Sequence, residues 1–242
     1  MKIKKEANIL IGCEESQVVC QAFRDLGFYN TFSCDLRPTS GDHPEWHLKM
    51  DVFQAIKLKE WDMGIFFPDC TYLTISANKW YKDMPPRKSG VLVGAERREA
   101  RELAIDFFMK LYHCKIPKVA IENPIGVMSS RFRKPDQVLQ PWMFGHPESK
   151  ATCLWLKGLP LLQPTEYADF KKYRCECGNT FDAQMGKYGC CESAAKPLWD
   201  NQTKSGQNNL APSKDRPILR SNTYSGIAQG MAVQFTHLKK KP

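Results

Sequence analysis

The stretch that decides the fold is Trp61-Asp62-Met63-Gly64-Ile65-Phe66-Phe67-Pro68-Asp69-Cys70-Thr71, an apolar run that ends at a proline. A short, nearly continuous apolar run is typical of a strand buried on both faces, and Pro68 ends it. Residues that follow the carboxyl end of a strand in an open α/β sheet face the ligand crevice. The sequence therefore predicts that Cys70 presents its thiol to a substrate at a strand end.

A second apolar segment, residues 118–121, ends in the same manner at Glu122-Asn123-Pro124. Because the carboxyl ends of parallel strands meet at one edge of a sheet, we expect Cys70 and Glu122 to face one pocket. We predict that they act there as nucleophile and acid. Taken singly, the alternatives are a buried structural thiol and a helix-capping or surface carboxylate.

The amino-terminal part has the pattern of a strand, a tight turn and a helix. Residues 8–12 are an apolar run ending at Gly12, and residues 18–26 are amphipathic and close at Gly27. We predict Ser16 as the helix N-cap and Gly27 as its left-handed C-terminal residue.

The next segment, residues 29–34, alternates like a strand and ends at Asp35. Such a unit begins many nucleotide-binding domains, because Gly12 lets the backbone approach a ligand and Asp35 can accept hydrogen bonds from ribose hydroxyls. The sequence lacks Gly-x-Gly-x-x-Gly, so a dinucleotide is not favoured over another adenosine-containing cofactor. A surface carboxylate is the alternative for Asp35.

Strands and helices alternate through the first half of the chain. Residues 96–113 form the clearest amphipathic helix, with its apolar stripe predicted to face the core. His43 and His47 lie four residues apart, but Pro44 argues against a helical metal pair, so loop positions are favoured. We predict an α/β fold with a mainly parallel, Rossmann-like sheet and helices on both faces.

The composition changes at Ser129, where prolines become frequent and periodicity fades. We predict a cofactor-binding core at residues 1–128, a loop-rich, substrate-facing module at 129–220, and a C-terminal segment at 221–242 that returns to the core with a helix. Arg131 and Arg133 could hold phosphate, and a solvated surface is the alternative.

Four of the ten cysteines cluster in the predicted module, at Cys175, Cys177, Cys190 and Cys191. Four thiolates can close a tetrahedral zinc site and staple a segment that has little core. One residue and no residue separate the paired cysteines, whereas two are usual, so unligated thiols stay the alternative.

The net charge of +9 points to an acidic partner, with nucleic acid before membrane, because no stretch is long and apolar enough to span a bilayer. Basic and aromatic residues follow Cys70, among them Lys79 and Trp80, and suit a flexible loop over a phosphate backbone with rings available for stacking. The absence of an apolar signal segment predicts a cytoplasmic chain with reduced thiols.

The order of these motifs resembles the cytosine-5 DNA methyltransferase family, in particular its small phage and prophage members. Pro68-Asp69-Cys70 stands at the family's Pro-Pro-Cys, and Glu122-Asn123-Pro124 at its Glu-Asn-Val. Residues 229–233 are similar to its closing Gly-Asn-Ala-Val, with Met231 at the asparagine, and residues 129–133 are a loose counterpart of its Gln-x-Arg-x-Arg. The resemblance covers the first 130 residues and about the last 20.

The resemblance implies S-adenosylmethionine as cofactor and DNA as partner, without excluding RNA or a free nucleotide. It implies a covalent Cys70 adduct at carbon 6 of cytosine, with Glu122 as the acid. The implied cofactor-binding residues are Gly12, Glu14, Ser16, Asp35, Asp51, Pro68 and Ala232, and the implied or predicted substrate-binding residues are Asn123, Arg131, Arg133 and Lys79. Methyl transfer to another nucleobase position or to a free nucleotide, and a catalytically silent nucleic-acid-binding module, remain the alternatives.

Overall fold

A computed structural model describes residues 3–182, 195–203, 209–210 and 222–237 of the chain. Its main feature is a seven-stranded sheet with the strand order β3-β2-β1-β4-β5-β7-β6. All pairings are parallel except those of β7, which runs antiparallel to β5 and β6. The predicted mainly parallel, Rossmann-like sheet is confirmed. The strands are β1 (Ile9–Gly12), β2 (Thr31–Asp35), β3 (His47–Lys49), β4 (Met63–Phe66), β5 (Val119–Pro124), β6 (Gln137–Leu139) and β7 (Thr152–Lys157).

The strand order reverses between β1 and β4. From β1 the chain passes to β2 and β3 on one side, and it then crosses to β4 and β5 on the other. A crevice opens at such a point beyond the carboxyl ends of the strands, because the flanking connections leave on opposite faces. The turns after β1 and β4 therefore lie where an α/β sheet binds its ligand.

Helices cover both faces of this sheet, as predicted. The right-handed rule for crossovers between parallel strands assigns the helix between β1 and β2 to one face and the helices that precede β4 and β5 to the other. Phe53 and Phe107, from these two latter helices, pack edge to face with ring centroids 5.1 Å apart. The helices are α1 (Val18–Asp25), α2 (Val52–Lys57), α3 (Gly94–Tyr112), α4 (Met128–Arg131) and α5 (Ser225–Thr236).

The core lies where the central strands pack against α2 and α3. Every residue of β1 and β4 is buried, which explains why their sequences are apolar runs without alternation. Trp155 of β7 and Phe108 of α3 are fully buried and meet edge to face at 5.2 Å. Burial of these large side chains contributes to the apolar stabilisation of the sheet.

The prediction that regular structure fades after Ser129 is wrong for β6 and β7. Residues Thr152–Leu156 of β7 are buried, and the strand pairs with β5 along six residues, from Thr152 opposite Pro124 to Lys157 opposite Val119. The surrounding prolines lie in the connections and not in the strand, so composition alone concealed it.

The chain divides into two compact units. Unit 1 contains residues 1–139, 151–162 and 228–242, and unit 2 contains residues 140–150 and 163–227. Residues 129–220, predicted as one module, are thus shared between them, because β6 and β7 belong to the sheet of unit 1. In the described parts, no helix is long and apolar enough to cross a membrane.

Unit 2 contains a small antiparallel sheet with the order β10-β8-β9. Its strands are β8 (Lys172–Arg174), β9 (Thr180–Asp182) and β10 (Lys196–Pro197). Their residues are exposed or half-buried, and ring contacts join them: Tyr173 stacks on Phe181 at 6.1 Å, and Phe170 meets Trp199 at 5.1 Å. Aromatic pairs thus compensate for a small apolar core.

Candidate active site

The turn that follows β4 fixes the backbone of Cys70 and leaves its side chain half-exposed. The Cys70 carbonyl accepts hydrogen bonds from the Leu73 and Thr74 N–H groups, both at 3.0 Å. The Asp69 carboxylate accepts hydrogen bonds from the Thr71 N–H at 2.8 Å and from the Thr71 hydroxyl at 2.6 Å. An aspartate that bonds the backbone two residues on stabilises a turn, so Asp69 helps to set the Cys70 conformation.

Glu122 and Asn123 lie on the adjacent strand, at the same edge of the sheet. Phe66 of β4 is the register partner of Ile121 of β5, and the Asn123 Nδ2 donates to the Pro68 carbonyl at 2.9 Å. Farther along, the Val127 N–H donates to the Leu73 carbonyl at 2.8 Å. The segments that carry Cys70 and Glu122 are therefore joined before and after the cysteine.

The side-chain amide of Asn123 has one buried polar atom, Oδ1, that is left without a hydrogen bond among the described residues. The residue is 1% exposed. A buried carbonyl oxygen without a partner is costly, which makes the site receptive to a ligand donor.

A second cysteine lies on the neighbouring antiparallel strand. Cys153 of β7 is the register partner of Asn123, and burial, with the charge of Glu122, raises the pKa of its thiol to about 11. Cys153 is thus a poor nucleophile at neutral pH, because the thiolate is the reactive form.

Gly12 ends β1 and packs closely against its neighbours. A Cβ at this position would lie 2.6 Å from Phe66 Cδ1 and 2.7 Å from Val52 Cγ2. The Gly12 carbonyl also accepts a hydrogen bond from the Phe67 N–H at 3.0 Å. The glycine therefore permits close packing of β1, β4 and α2 beneath the crevice, besides its predicted role in cofactor binding.

Three carboxylates lie close enough to the turn after β1 to change the pKa of its cysteine, Cys13. Burial raises the pKa of the Cys13 thiol far above its ordinary value, and the charges of Asp35, Asp51 and Asp69 raise it further. Cys13 also adopts a left-handed backbone, with φ 59°. The predicted cofactor acids Asp35 and Asp51 thus lie near the same turn, on the crevice edge of the sheet.

Both predicted acids also have structural partners. The Asp35 carboxylate accepts hydrogen bonds from the N–H and Nε of Arg37, at 2.9 and 3.3 Å. Asp51 is the N-cap of α2, since its carboxylate accepts from the Phe53 and Gln54 N–H groups at 2.9 and 3.2 Å. Each carboxylate is therefore held in a defined position.

Glu14 and Ser16 lie in the turn that leads into α1. The buried Glu14 carboxylate accepts from the Val19 and Cys20 N–H groups, at 2.6 and 3.2 Å. Burial raises the pKa of Glu14 to about 7, although these hydrogen bonds oppose the shift. The prediction of Ser16 as N-cap is wrong: α1 begins after Gln17, and Glu14 satisfies its first N–H groups. The prediction for Gly27 is confirmed by its φ of 84°.

The predicted phosphate-binding arginines of unit 1 have protein partners. Arg131 forms a bidentate ion pair with Glu102, at 2.7 and 2.5 Å. Arg133 donates to Asp136 at 2.7 Å and to the Tyr112 hydroxyl at 3.0 Å. Phosphate binding by either arginine would have to replace these contacts, and their role stays a prediction.

The other predicted residues differ in environment. Lys79 is exposed, with its Nζ 4.6 Å from the Trp80 ring centroid, and the Arg87 guanidinium lies 4.0 Å from the same centroid. Trp80 is thus already in contact with two cations, rather than a bare platform for base stacking. Ala232 is buried in α5.

The predicted zinc site lies partly outside the described residues. Cys175 and Cys177 lie in the turn between β8 and β9, where the Cys175 N–H donates to the Asn179 carbonyl at 2.8 Å. Cys190 and Cys191 fall in residues 183–194, beyond the described ranges. Among the described residues no group of three or more histidine, cysteine, aspartate or glutamate side chains could hold a metal ion. Zinc stays a prediction.

Arg97 and Arg101 bind the turn after Cys70, although no sequence motif identified them as site residues. Charged residues of an amphipathic helix are expected at the surface, yet Arg97 is only 3% exposed. The available signal was three arginines at positions 97, 98 and 101, within about one helical turn of each other and directly after the loop that carries Cys70.

Comparisons with known proteins give likenesses to solved structures. No family model and no curated protein matches the sequence. A solved structure provisionally described as a DNA modification methyltransferase encoded within an E. coli prophage matches with a TM-score of 0.41 and 11% identity. The match covers 68% of this chain, which spans about half, 52%, of that protein.

Proposed function

We propose that the protein is an S-adenosylmethionine-dependent methyltransferase that modifies carbon 5 of cytosine in DNA through a covalent Cys70 adduct. The observation that carries the proposal is the pairing of two strand ends beside the reversal of strand order. Cys70 follows β4, Glu122 lies on β5, and the Asn123 side chain joins them at the Pro68 carbonyl. The order of motifs in the sequence supports the same function.

The chemistry explains why a thiol and a carboxyl group are needed together. Carbon 5 of cytosine is a weak nucleophile, so addition of the Cys70 thiolate at carbon 6 raises electron density at carbon 5. Glu122 would share a proton with ring nitrogen 3 and stabilise the charge that addition creates. After methyl transfer, loss of the carbon-5 proton and of the thiolate restores the aromatic ring.

The turn after β1 fits an adenosine-containing methyl donor. Asp35 and Asp51 end β2 and begin α2, where their oxygens can accept hydrogen bonds from ribose and adenine. The charges of Asp35, Asp51 and Asp69 also suit a cationic ligand. S-adenosylmethionine would supply the electrophilic methyl group. The remaining task of this part of the chain is to bind and orient that donor.

DNA is the proposed substrate because the chain carries a net charge of +9, and because its exposed loop at Lys79, Lys82, Arg87 and Lys88 follows the proposed nucleophile. A cytosine in duplex DNA would have to leave the stack to reach Cys70, at a cost of about a few kcal/mol. Contacts to the phosphate backbone can offset that cost.

The test is transfer of a labelled methyl group from S-adenosylmethionine to DNA, followed by nucleoside analysis. We expect 5-methylcytosine with the wild type and with Cys114→Ala, a control cysteine that follows α3, but none with Cys70→Ala. Substantial methylation by Cys70→Ala would instead support transfer to an exocyclic amine, which needs no thiol adduct. Binding of DNA without binding of the cofactor by calorimetry would indicate a silent nucleic-acid-binding module.

A further inference from the structure

The turn that carries Cys70 is attached to α3 by two arginines. The Arg97 Nη2 donates to the Thr71 carbonyl at 3.1 Å, and its Nη1 donates to the Leu92 carbonyl at 3.3 Å. The Arg101 Nε donates to the Tyr72 carbonyl at 3.0 Å. These backbone acceptors on the turn, Thr71 and Tyr72, are the first and second residues after the proposed nucleophile.

Aromatic rings complete the attachment. The Arg101 guanidinium lies 3.4 Å from the Tyr81 ring centroid, and the Tyr81 hydroxyl donates to the same Tyr72 carbonyl at 2.8 Å. The Arg97 guanidinium lies 5.1 Å from the Tyr72 ring and 4.9 Å from the Tyr81 ring. A planar guanidinium suits this combination, because it donates in its plane and stacks with its faces.

Arg97 is unusual because a buried arginine is normally paired with a carboxylate. It is 3% exposed, makes no ion pair among the described residues, and its Nε has no hydrogen-bond partner there. A buried charge of this kind lowers stability unless it is well compensated. Here the charge of Arg97 is compensated by the Thr71 and Leu92 carbonyls and by the rings of Tyr72 and Tyr81. These contacts couple the position of the Cys70 turn to α3.

We infer that Arg97 and Arg101 are positioning residues that hold the Cys70 turn in its reactive geometry. This inference rests on the proposed function for its meaning, although the attachment itself can be measured without catalysis. On the other side, Asn123 and Val127 hold the same turn from the β5 side, at the Pro68 and Leu73 carbonyls. The turn is thus fixed from both neighbouring elements, and loss of either attachment displaces the thiol.

The experiment compares Arg101→Gln, Arg101→Lys and Arg97→Lys with Lys110→Gln in the full chain. Lys110 is the matched control, because it is an exposed cation on the same helix and forms an i,i+4 ion pair with Asp106, at 2.6 Å. The first measurement is the alkylation rate of Cys70 by iodoacetamide, followed by peptide mass spectrometry. The second is kcat and KM for DNA methylation, with the affinity for S-adenosylmethionine measured by calorimetry.

We expect Arg101→Gln to raise the alkylation rate at least about threefold by local opening of the turn. It should lower kcat on the order of 10- to 100-fold, because small misplacement of a reacting group is costly. Cofactor affinity and KM should stay near wild type, and Arg101→Lys should restore part of kcat. Arg97→Lys keeps the charge but not the planar fork, so its kcat should also fall.

Wild-type alkylation and turnover in both Arg101→Gln and Arg97→Lys would overturn the inference. If the wild type methylates no DNA, the proposed function fails while faster alkylation in Arg101→Gln still supports the attachment. If Arg97→Lys does not fold, Arg101→Gln and its partial rescue by lysine decide the matter.

Discussion

Cys13 and Cys70 follow neighbouring parallel strands at the same edge of one sheet, yet their surroundings differ. Cys13 has the same intermediate exposure as Cys70, but desolvation together with the charges of Asp35 and Asp51 raises the pKa of its thiol. Cys70 is half-exposed in a turn that Arg97 and Arg101 attach to α3. The comparison teaches that a strand-end position brings a thiol to the crevice, whereas its neighbours decide whether it can act as a nucleophile.

The largest expected effect concerns Glu122, the carboxyl group proposed to act together with Cys70. Glu122→Gln keeps the shape of the side chain but removes its acid, so kcat should fall by about 10² to 10⁴, the usual contribution of general acid–base catalysis. Cys153→Ala, on the adjacent strand, is the control and should keep most activity. Steady-state methylation assays measure both. Equal activity of Glu122→Gln and wild type would show that the proton comes from elsewhere.

The second prediction compares the two thiols directly. Iodoacetamide at pH 8 should modify Cys70 faster than Cys13, because the raised pKa of the Cys13 thiol lowers its thiolate fraction. Peptide-resolved mass spectrometry measures the rate at each cysteine. Denatured protein is the control, in which the two rates should become similar. Equal rates in the folded protein would remove the distinction between the two turns.

The third prediction tests the packing beneath the turn after β1. Gly12→Ala should lower the free energy of unfolding by about 1–3 kcal/mol, since a Cβ meets Phe66 at 2.6 Å and Val52 at 2.7 Å. Denaturant unfolding measures this loss. In the double variant with Val52→Ala, part of the crowding is relieved, so the two changes should be less than additive. If Gly12→Ala unfolds with the wild-type free energy, Phe66 and Val52 can move away from the added Cβ without loss of stability.

The last expected effect is the pH dependence of stability that comes from Glu14. Because burial raises its folded-state pKa to about 7 from an ordinary value of 4.5, the folded chain retains a proton that the unfolded chain has lost between these pH values. The contribution of Glu14 to stability is therefore present below pH 4.5, declines as the pH rises toward 7, and is constant above that. Glu14→Gln should remove this decline in unfolding experiments from pH 4.5 to 8. An unchanged slope would contradict the assignment.

Sequence alone predicted the central sheet because β1, β4 and β5 are apolar runs that end in distinctive turns. It failed at β7, whose run Thr152–Lys157 is equally apolar but is enclosed by prolines of the connecting segments. It also could not show that β7 runs antiparallel, since pairing direction depends on long-range contacts. The short β3 pairs three residues of a polar loop, and no periodicity signals it.

The candidate site was predictable in its residue types but not in its contacts. The order of Cys70 and Glu122 along the chain follows from strand ends, whereas the buried position of Arg97 depends on how the loop folds back onto α3. Ser16 is likewise a residue type that is common at N-caps, yet the longer Glu14 side chain accepts the hydrogen bonds of the free N–H groups. A long-range contact thus decides the position of Arg97, whereas a competing local hydrogen bond decides the cap of α1.

The most direct test of the central claim is to locate the covalent bond. Incubation with S-adenosylmethionine and DNA that contains 5-fluorocytosine should trap a denaturation-resistant complex, because fluorine cannot leave as the carbon-5 proton does. Digestion and mass spectrometry of that complex should find the nucleotide on the peptide that carries Cys70. A nucleotide on Cys13 or Cys153, or the absence of any adduct on DNA from cells that express the protein, would contradict the proposed mechanism.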